Sequence, residues 1–160
     1  MAKAKNPIPE GTHTITPHLT VKGAKQAIDF YKKAFGATEI TRMPGPTGLI
    51  MHAAMKIGDS KFFIADESPG QKTSVSPATL GGTSTVLNLY VTDCDKLFNQ
   101  AVAAGAKASM PLADQFWGDR YGQVTDPYGH VWAIATHKED LTPAELEERG
   151  QKFMASMPQR

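Results

Sequence analysis

The chain has 160 residues, with 41% apolar residues and 17 Lys and Arg against 16 Asp and Glu, enough for one folded domain or two small modules sharing a core. The near-neutral balance lacks the basic footprint that nucleic acid or an anionic membrane surface needs, and no apolar run approaches the roughly 20 residues of a membrane span. A single cysteine, Cys94, excludes an internal disulfide framework and a Cys-rich zinc site, and fits a reducing cytoplasm. Cytoplasmic location is therefore expected, with neither nucleic acid nor membrane as a partner.

Residues 1–14 carry two lysines with no apolar stretch behind them and read as a solvated lead-in rather than a secretory signal. Residues 18–38, HLTVKGAKQAIDFYKKAFGAT, then read as a strand, a connection, an amphipathic helix and a glycine stop. Residues 86–107, VLNLYVTDCDKLFNQAVAAGAK, repeat that order, with Ala34-Phe35-Gly36-Ala37 matched by Ala103-Ala104-Gly105-Ala106. In each copy glycine falls just past the last helical turn, where a left-handed residue is required. Asp93 is placed to cap the second helix. Ala27, Ile28, Tyr31 and Phe35, and likewise Leu97, Ala101 and Ala104, recur at helical spacing and give each helix one apolar face.

Three strand-like runs follow each helix, at 38–43, 49–57 and 61–66 and again at 107–112, 120–125 and 131–136. Gly45-Pro46-Thr47-Gly48 reads as a turn between strands. Ile57-Gly58-Asp59-Ser60 and Asp126-Pro127-Tyr128-Gly129-His130 carry the chemistry of hairpin turns. The expected architecture is α+β, a tandem duplication of βαβββ modules forming a curved mixed sheet, a half-barrel cup, followed by a C-terminal helix. The expected boundaries are lead-in 1–14, first module 15–66, linker or mobile loop 67–83, second module 84–137 and helical tail 138–160. In the tail, Thr142-Pro143-Ala144-Glu145 is a capping box with proline at the first helical position. Leu146, Phe153, Met154 and Met157 leave one sparse apolar face on the helix at 143–157, expected to dock on the body or on a second subunit.

Several motifs in order carry a resemblance: the opening His18-Leu19-Thr20-Val21, the helix end Phe30-Tyr31 to Phe35-Gly36-Ala37, Met51-His52-Ala53, and Trp117-Gly118-Asp119-Arg120-Tyr121-Gly122 followed by Asp126-Pro127-Tyr128-Gly129-His130. Across about 15–137 the chain resembles the vicinal oxygen chelate superfamily of glyoxalase I, extradiol dioxygenases, fosfomycin-resistance transferases and bleomycin-resistance proteins, and within it a PhnB-like subgroup. The resemblance implies paired modules that enclose a pocket. In the metalloenzymes, residues on the first and last strands of the modules hold a divalent metal that polarises vicinal oxygens of the substrate.

Strand alternation sorts the faces of that pocket. Leu19, Val21, Leu87, Leu89, Val91, Trp132 and Ile134 fall under the helices, leaving His18, Thr20, Val86, Asn88, Tyr90, Ala133 and Ala135 on the open side. His18 stands where the resemblance places the first metal ligand, but the comparable positions are Val86, Ala133 and Phe62, which cannot donate to an ion. A catalytic metal needs about three protein donors, so no cofactor is expected. His52 is the one further donor from which a rearranged divalent-metal site could draw.

The expected function is binding of a small organic molecule in an inter-module pocket lined by His18, Thr20, Phe62, Asn88, Tyr90, Trp117 and Ala133, without the superfamily's metal. The alternative is a metal-dependent isomerase, lyase or dioxygenase using His18 and His52. A homodimer is expected from the open half-barrels. For His18 a hydrogen-bonded buried histidine competes with a ligand-contacting one, and for Phe116 and Trp117 core packing competes with a pocket wall. Arg120 and Asp119 either pair or shape a turn. Cys94 reads as packing, and His13 and His130 as surface residues.

Overall fold

The computed structural model describes residues 3–45, 47–70 and 72–158. The first two residues of the lead-in, Pro46 of the expected turn, Gln71 of the linker and the last two residues of the tail lie outside the described residues. The first module comprises β1 (His18–Val21), α1 (Ala24–Phe35), β2 (Thr38–Pro44), β3 (Ile50–Ile57) and β4 (Ser60–Asp66). After a short helix α2 (Pro77–Leu80), the second repeats it with β5 (Val86–Tyr90), α3 (Cys94–Ala104), β6 (Lys107–Asp114), β7 (Asp119–Thr125) and β8 (Val131–His137). Helix α4 (Pro143–Ser156) follows.

The duplication is α+β, as the repeat in the sequence predicts. Each module forms its own four-stranded mixed sheet, ordered β1-β4-β3-β2 and β5-β8-β7-β6, with the first and last strands parallel and the other pairs antiparallel. The helix ends follow local chemistry. Gly36 and Gly105 take the left-handed conformation at φ 65° and 119°, Asp93 accepts from the Lys96 N–H, and Thr142 and Glu145 form the reciprocal capping box. The start of α1 has no cap on its own element. Asp66, from the end of β4, accepts from the Gly23 and Ala24 N–H groups with one carboxylate oxygen and from the Ile50 N–H with the other. One buried carboxylate thus ties the helix start to two strands.

A single core joins the modules. Leu19, Val21, Ile28, Tyr31, Phe62 and Ile64 of the first meet Phe98, Ala101, Val124, Trp132 and Ile134 of the second. The Trp132 ring lies 4.7 Å from that of Phe35 and 5.4 Å from that of Tyr31. At its centre Asp126, 4% exposed, accepts from the Tyr31 hydroxyl at 2.7 Å and from the Trp132 indole at 2.9 Å. Its other oxygen accepts from the Tyr128 and His130 N–H groups. The turn that carries Asp126 is therefore a clasp between modules as well as a hairpin. Both sheets turn their helix-covered faces to this core, and their other faces point away from it.

Three expectations need correction. Within the expected linker, Ser76–Thr79 is stapled rather than loose: Glu67 accepts from Ser76 and from the Thr79 hydroxyl, and Pro77 lies so close to Gly129 that a Cβ there would sit 2.8 Å from the Pro77 Cβ. Arg120 turns away from Asp119 and makes a bidentate pair with Asp95 at 2.7 Å, plus a contact with Asp114 at 3.2 Å. His130 is half-buried, and its Nε2 donates to the Thr20 carbonyl at 3.1 Å, another stitch between modules. Cys94 is buried in the core, and His13 is exposed.

Candidate functional site

The two open sheet faces carry different chemistry. In the first module register sets His18 beside Phe63 and Thr20 beside Ala65. The rings of His18, His52 and Phe63 form a cluster, with His18 5.8 Å from His52, edge to face, and His52 4.8 Å from Phe63. His18 is exposed, and partial desolvation, then the neighbouring His52, push its imidazole below the ordinary pKa. Phe62 points the other way. It is 5% exposed and packs edge to face against Tyr31 and Trp132 in the core, which corrects its expected place in the pocket; Phe63 is the aromatic residue on the open face.

In the second module the register places Asn88, Ala133 and Gln123 in one row across β5, β8 and β7, and Tyr90, Ala135 and Tyr121 in the next. His137 and Asp119 pair beyond them. Leu87 and Leu89 pack against the core, so alternation sends Asn88 and Tyr90 outward. Ala133 and Ala135 are 0% and 2% exposed yet lie outside the shared apolar core. Their small side chains make a low strip on the open face between longer side chains on β5 and β7, a trough that those neighbours cover. Tyr90, 66% exposed, reaches from β5 across β8 and donates its hydroxyl to Asp119 Oδ2 on β7 at 2.7 Å.

Asp119, 4% exposed, organises the end of that trough. Besides Tyr90 it accepts from the Trp117 indole at 3.1 Å and from His137 Nδ1 at 2.7 Å, while His137 Nε2 reaches Asp140 at 3.0 Å. Burial opposes the charge on Asp119, but the bonds from His137, Tyr90 and Trp117 outweigh it and hold the carboxyl below its ordinary range. The hydrogen bonds to Asp119 and then Asp140 raise the His137 pKa, and the bond to Asp119 raises that of Tyr90.

Trp117 packs edge to face on Tyr121 at 5.7 Å and on Phe116 at 5.1 Å. Phe116 stacks in turn on Phe153 of α4 at 5.0 Å. Helix α4 touches the body where Phe153 stacks on Phe116, but Phe153 is itself 38% exposed and Leu146, Met154 and Met157 are exposed as well. Trp117 is a wall of the second module's open face.

Of the seven expected pocket residues, Asn88, Tyr90, Trp117 and Ala133 share the second module's open face, and His18 and Thr20 share the first's. Within one chain these groups do not line one cavity. A groove of about 510 Å³ between the modules is lined by His18 and Thr20 with Val75, Pro77, Thr85 and His130 among others, and includes none of the second group. The Asp119–His137 pair was not predicted. Its signal lay in the hairpin register, since two residues 18 apart become neighbours only when β7 and β8 pair.

The divalent metal that the resemblance implies does not fit one chain's residues. His18 faces Phe63, and Val86 and Asn88 face Val131 and Ala133. Among the described residues no three His, Cys, Asp or Glu side chains gather where an ion could be held.

Comparison with known proteins accounts for this arrangement of modules. A family model described as Glyoxalase/Bleomycin resistance protein/Dioxygenase superfamily matches residues 12–134. The uncharacterised protein Rv0887c of Mycobacterium tuberculosis is 44% identical over 136 residues, 83% of this chain and 79% of that protein. Among solved structures, TioX from Micromonospora sp. ML1 is 31% identical with a TM-score of 0.63, over 78% of this chain and 98% of its own. PA1353 from Pseudomonas aeruginosa is 26% identical with a TM-score of 0.65, over 80% of this chain and 100% of its own. Because the family match runs through both modules and these neighbours share their fold, the chain belongs to the glyoxalase/bleomycin resistance/dioxygenase superfamily.

Proposed function

We propose that this protein binds a small organic molecule on the trough over Ala133 and Ala135, without the superfamily's metal, as a cytoplasmic homodimer. The observation that carries the reading is the trough itself: two alanines on an open sheet face, flanked by Asn88, Tyr121 and Trp117, with the Tyr90 side chain reaching across them to a buried carboxylate at one end. Apolar floor, aromatic walls and a few oriented polar groups are the ordinary composition of a small-molecule site. Apart from His18, the metal positions Val86, Ala133 and Phe62 hold side chains that cannot ligate. Both open faces point away from the chain's own core, so a pocket walled by both modules needs a second copy, the first-module face of one chain set over the second-module face of the other. Exposed Met43 in the row of His52, and exposed Val86 opposite, supply apolar contact for that closure.

Native mass spectrometry of freshly purified protein tests the reading, because it reports subunit count, bound organic ligand and bound metal together. A dimer carrying an organic adduct and no metal is expected. Replacing the fully buried Ala133 with Leu overfills the trough at about 1–3 kcal/mol, so the adduct should disappear from a protein that is less stable but still folded; an adduct retained by Ala133→Leu places the site elsewhere. A second reading draws on the nearness of His18 and His52: a metal-dependent isomerase, lyase or dioxygenase with a rearranged site. EDTA separates the two. A melting temperature lowered by several degrees and restored by Zn²⁺ or Mn²⁺ favours the metalloenzyme.

A further inference from the structure

Asp119 is a buried carboxylate that opens onto the trough instead of the core. A carboxylate offers about four acceptor positions, and three side-chain donors occupy Asp119: His137, Trp117 and Tyr90. Two of the three are fixed by the backbone. His137 sits opposite Asp119 in the β7–β8 ladder. Trp117 lies in a turn whose Gly118 carbonyl accepts from the Lys138 and Glu139 N–H groups. Tyr90 is different: it is 66% exposed and spans a strand to reach Asp119. Its ring is a phenol lying in the trough beside Ala135, its hydroxyl on a charged acceptor.

Resting on the pocket reading above, we infer that the trough takes an aromatic ligand bearing a hydrogen-bond donor, of the phenol class, which displaces the Tyr90 side chain and donates to Asp119 Oδ2 in its place. The chain's own phenol marks the position. Its departure exposes the alanine floor, and the incoming ring gains the Tyr121 and Trp117 walls. A donor is essential because displacing Tyr90 with a group that cannot donate leaves the carboxylate one bond short in a place that water reaches poorly. Tyr90 acts as an internal competitor, so its removal strengthens binding.

The experiment compares p-cresol with 4-methylanisole, the same ring with its donor methylated, by calorimetry and ligand-observed NMR on the full chain. Wild type should prefer p-cresol by about tenfold, the scale of one hydrogen bond to a charged group. Tyr90→Ala should bind p-cresol more tightly than wild type does and keep the preference, and Tyr90→Ala combined with Asp119→Asn should lose it. Equal affinity for both compounds in wild type and Tyr90→Ala, with binding abolished by Ala133→Leu, overturns the anchor and leaves the pocket standing. If neither compound binds any variant, the inference falls together with the pocket. The wild-type comparison needs no substitution, so a variant that fails to fold does not remove the test.

Discussion

Asp119 and Asp126 are both 4% exposed and both accept from an indole and a phenol, yet they do opposite work. Asp126 is closed in by Tyr31 and Trp132 and binds the modules together, whereas Asp119 faces outward beside a titratable histidine. The shifts in the Asp119 pair set a pH window. Asp119, with its pKa lowered on folding, contributes stability that is present above the unfolded carboxylate value near 4 and lost as pH falls through the depressed folded value. His137, with its pKa raised, contributes stability that is present below about 6.5 and lost as pH rises through the folded value. The network is complete between those limits. NMR titration should place the His137 pKa above 6.5, and Asp119→Asn should move it back toward that value; an unchanged His137 titration in Asp119→Asn would show that the pair is not coupled.

The same scale shows what the sequence could and could not say. Alternation placed Leu19, Val21, Leu87, Leu89, Trp132 and Ile134 under the helices because each of them neighbours polar or small residues. At Phe62 and Phe63 two identical residues stand side by side, and alternation falls silent. The count that makes Phe62 the counterpart of Ala133 is one residue off, and a shift of one residue moves a strand side chain to the other face of the sheet: Ala133 pairs with Asn88, and it is Phe63 that pairs with His18. Asp119 and His137 were hidden for another reason, since each is an ordinary polar residue until strand pairing brings them together.

At the scale of elements, the turn between β6 and β7 holds the site's aromatic wall in position. Gly118 has φ +94°, and a Cβ on it would fall 2.5 Å from the Glu139 carbonyl oxygen. Both the backbone conformation and the space therefore require glycine. Gly118→Ala should cost about 2 kcal/mol and pull Trp117 from Asp119, read as a lower melting temperature and a shifted Trp117 indole resonance by NMR. Helix α4 supports the wall from behind through Phe153 on Phe116, so Phe153→Ala should broaden the Trp117 signal while leaving that of core Trp132 unchanged. The ends of these elements were legible because caps are local: Gly36, Gly105, Asp93 and Thr142 act within their own few residues. The start of α1 was not, because its cap, Asp66, arrives from 42 residues away.

On the scale of the whole molecule, the repeat settled the architecture, but how the two modules meet depends on Tyr31, Trp132 and Asp126, which no local pattern connects. Asp126→Ala leaves a buried hydroxyl, an indole N–H and two backbone N–H groups without their acceptor, at about 1–3 kcal/mol for each that finds no other. Chemical denaturation should show a loss of at least about 3 kcal/mol, and one smaller than about 1 kcal/mol would remove Asp126 from the role of clasp.

The arrangement of two open faces on either side of one core makes each chain the owner of two unlike half-sites. If the halves complete each other across a dimer, defects placed in different modules are not equivalent to defects placed in the same one. Chains carrying Phe63→Asp and chains carrying Ala133→Leu should each fail to bind alone, yet refolding the two together should create mixed dimers in which one pocket combines both lesions and the other combines none. Binding would return at one ligand per mixed dimer, a form of complementation between two inactive proteins that a pocket contained within a single chain cannot produce.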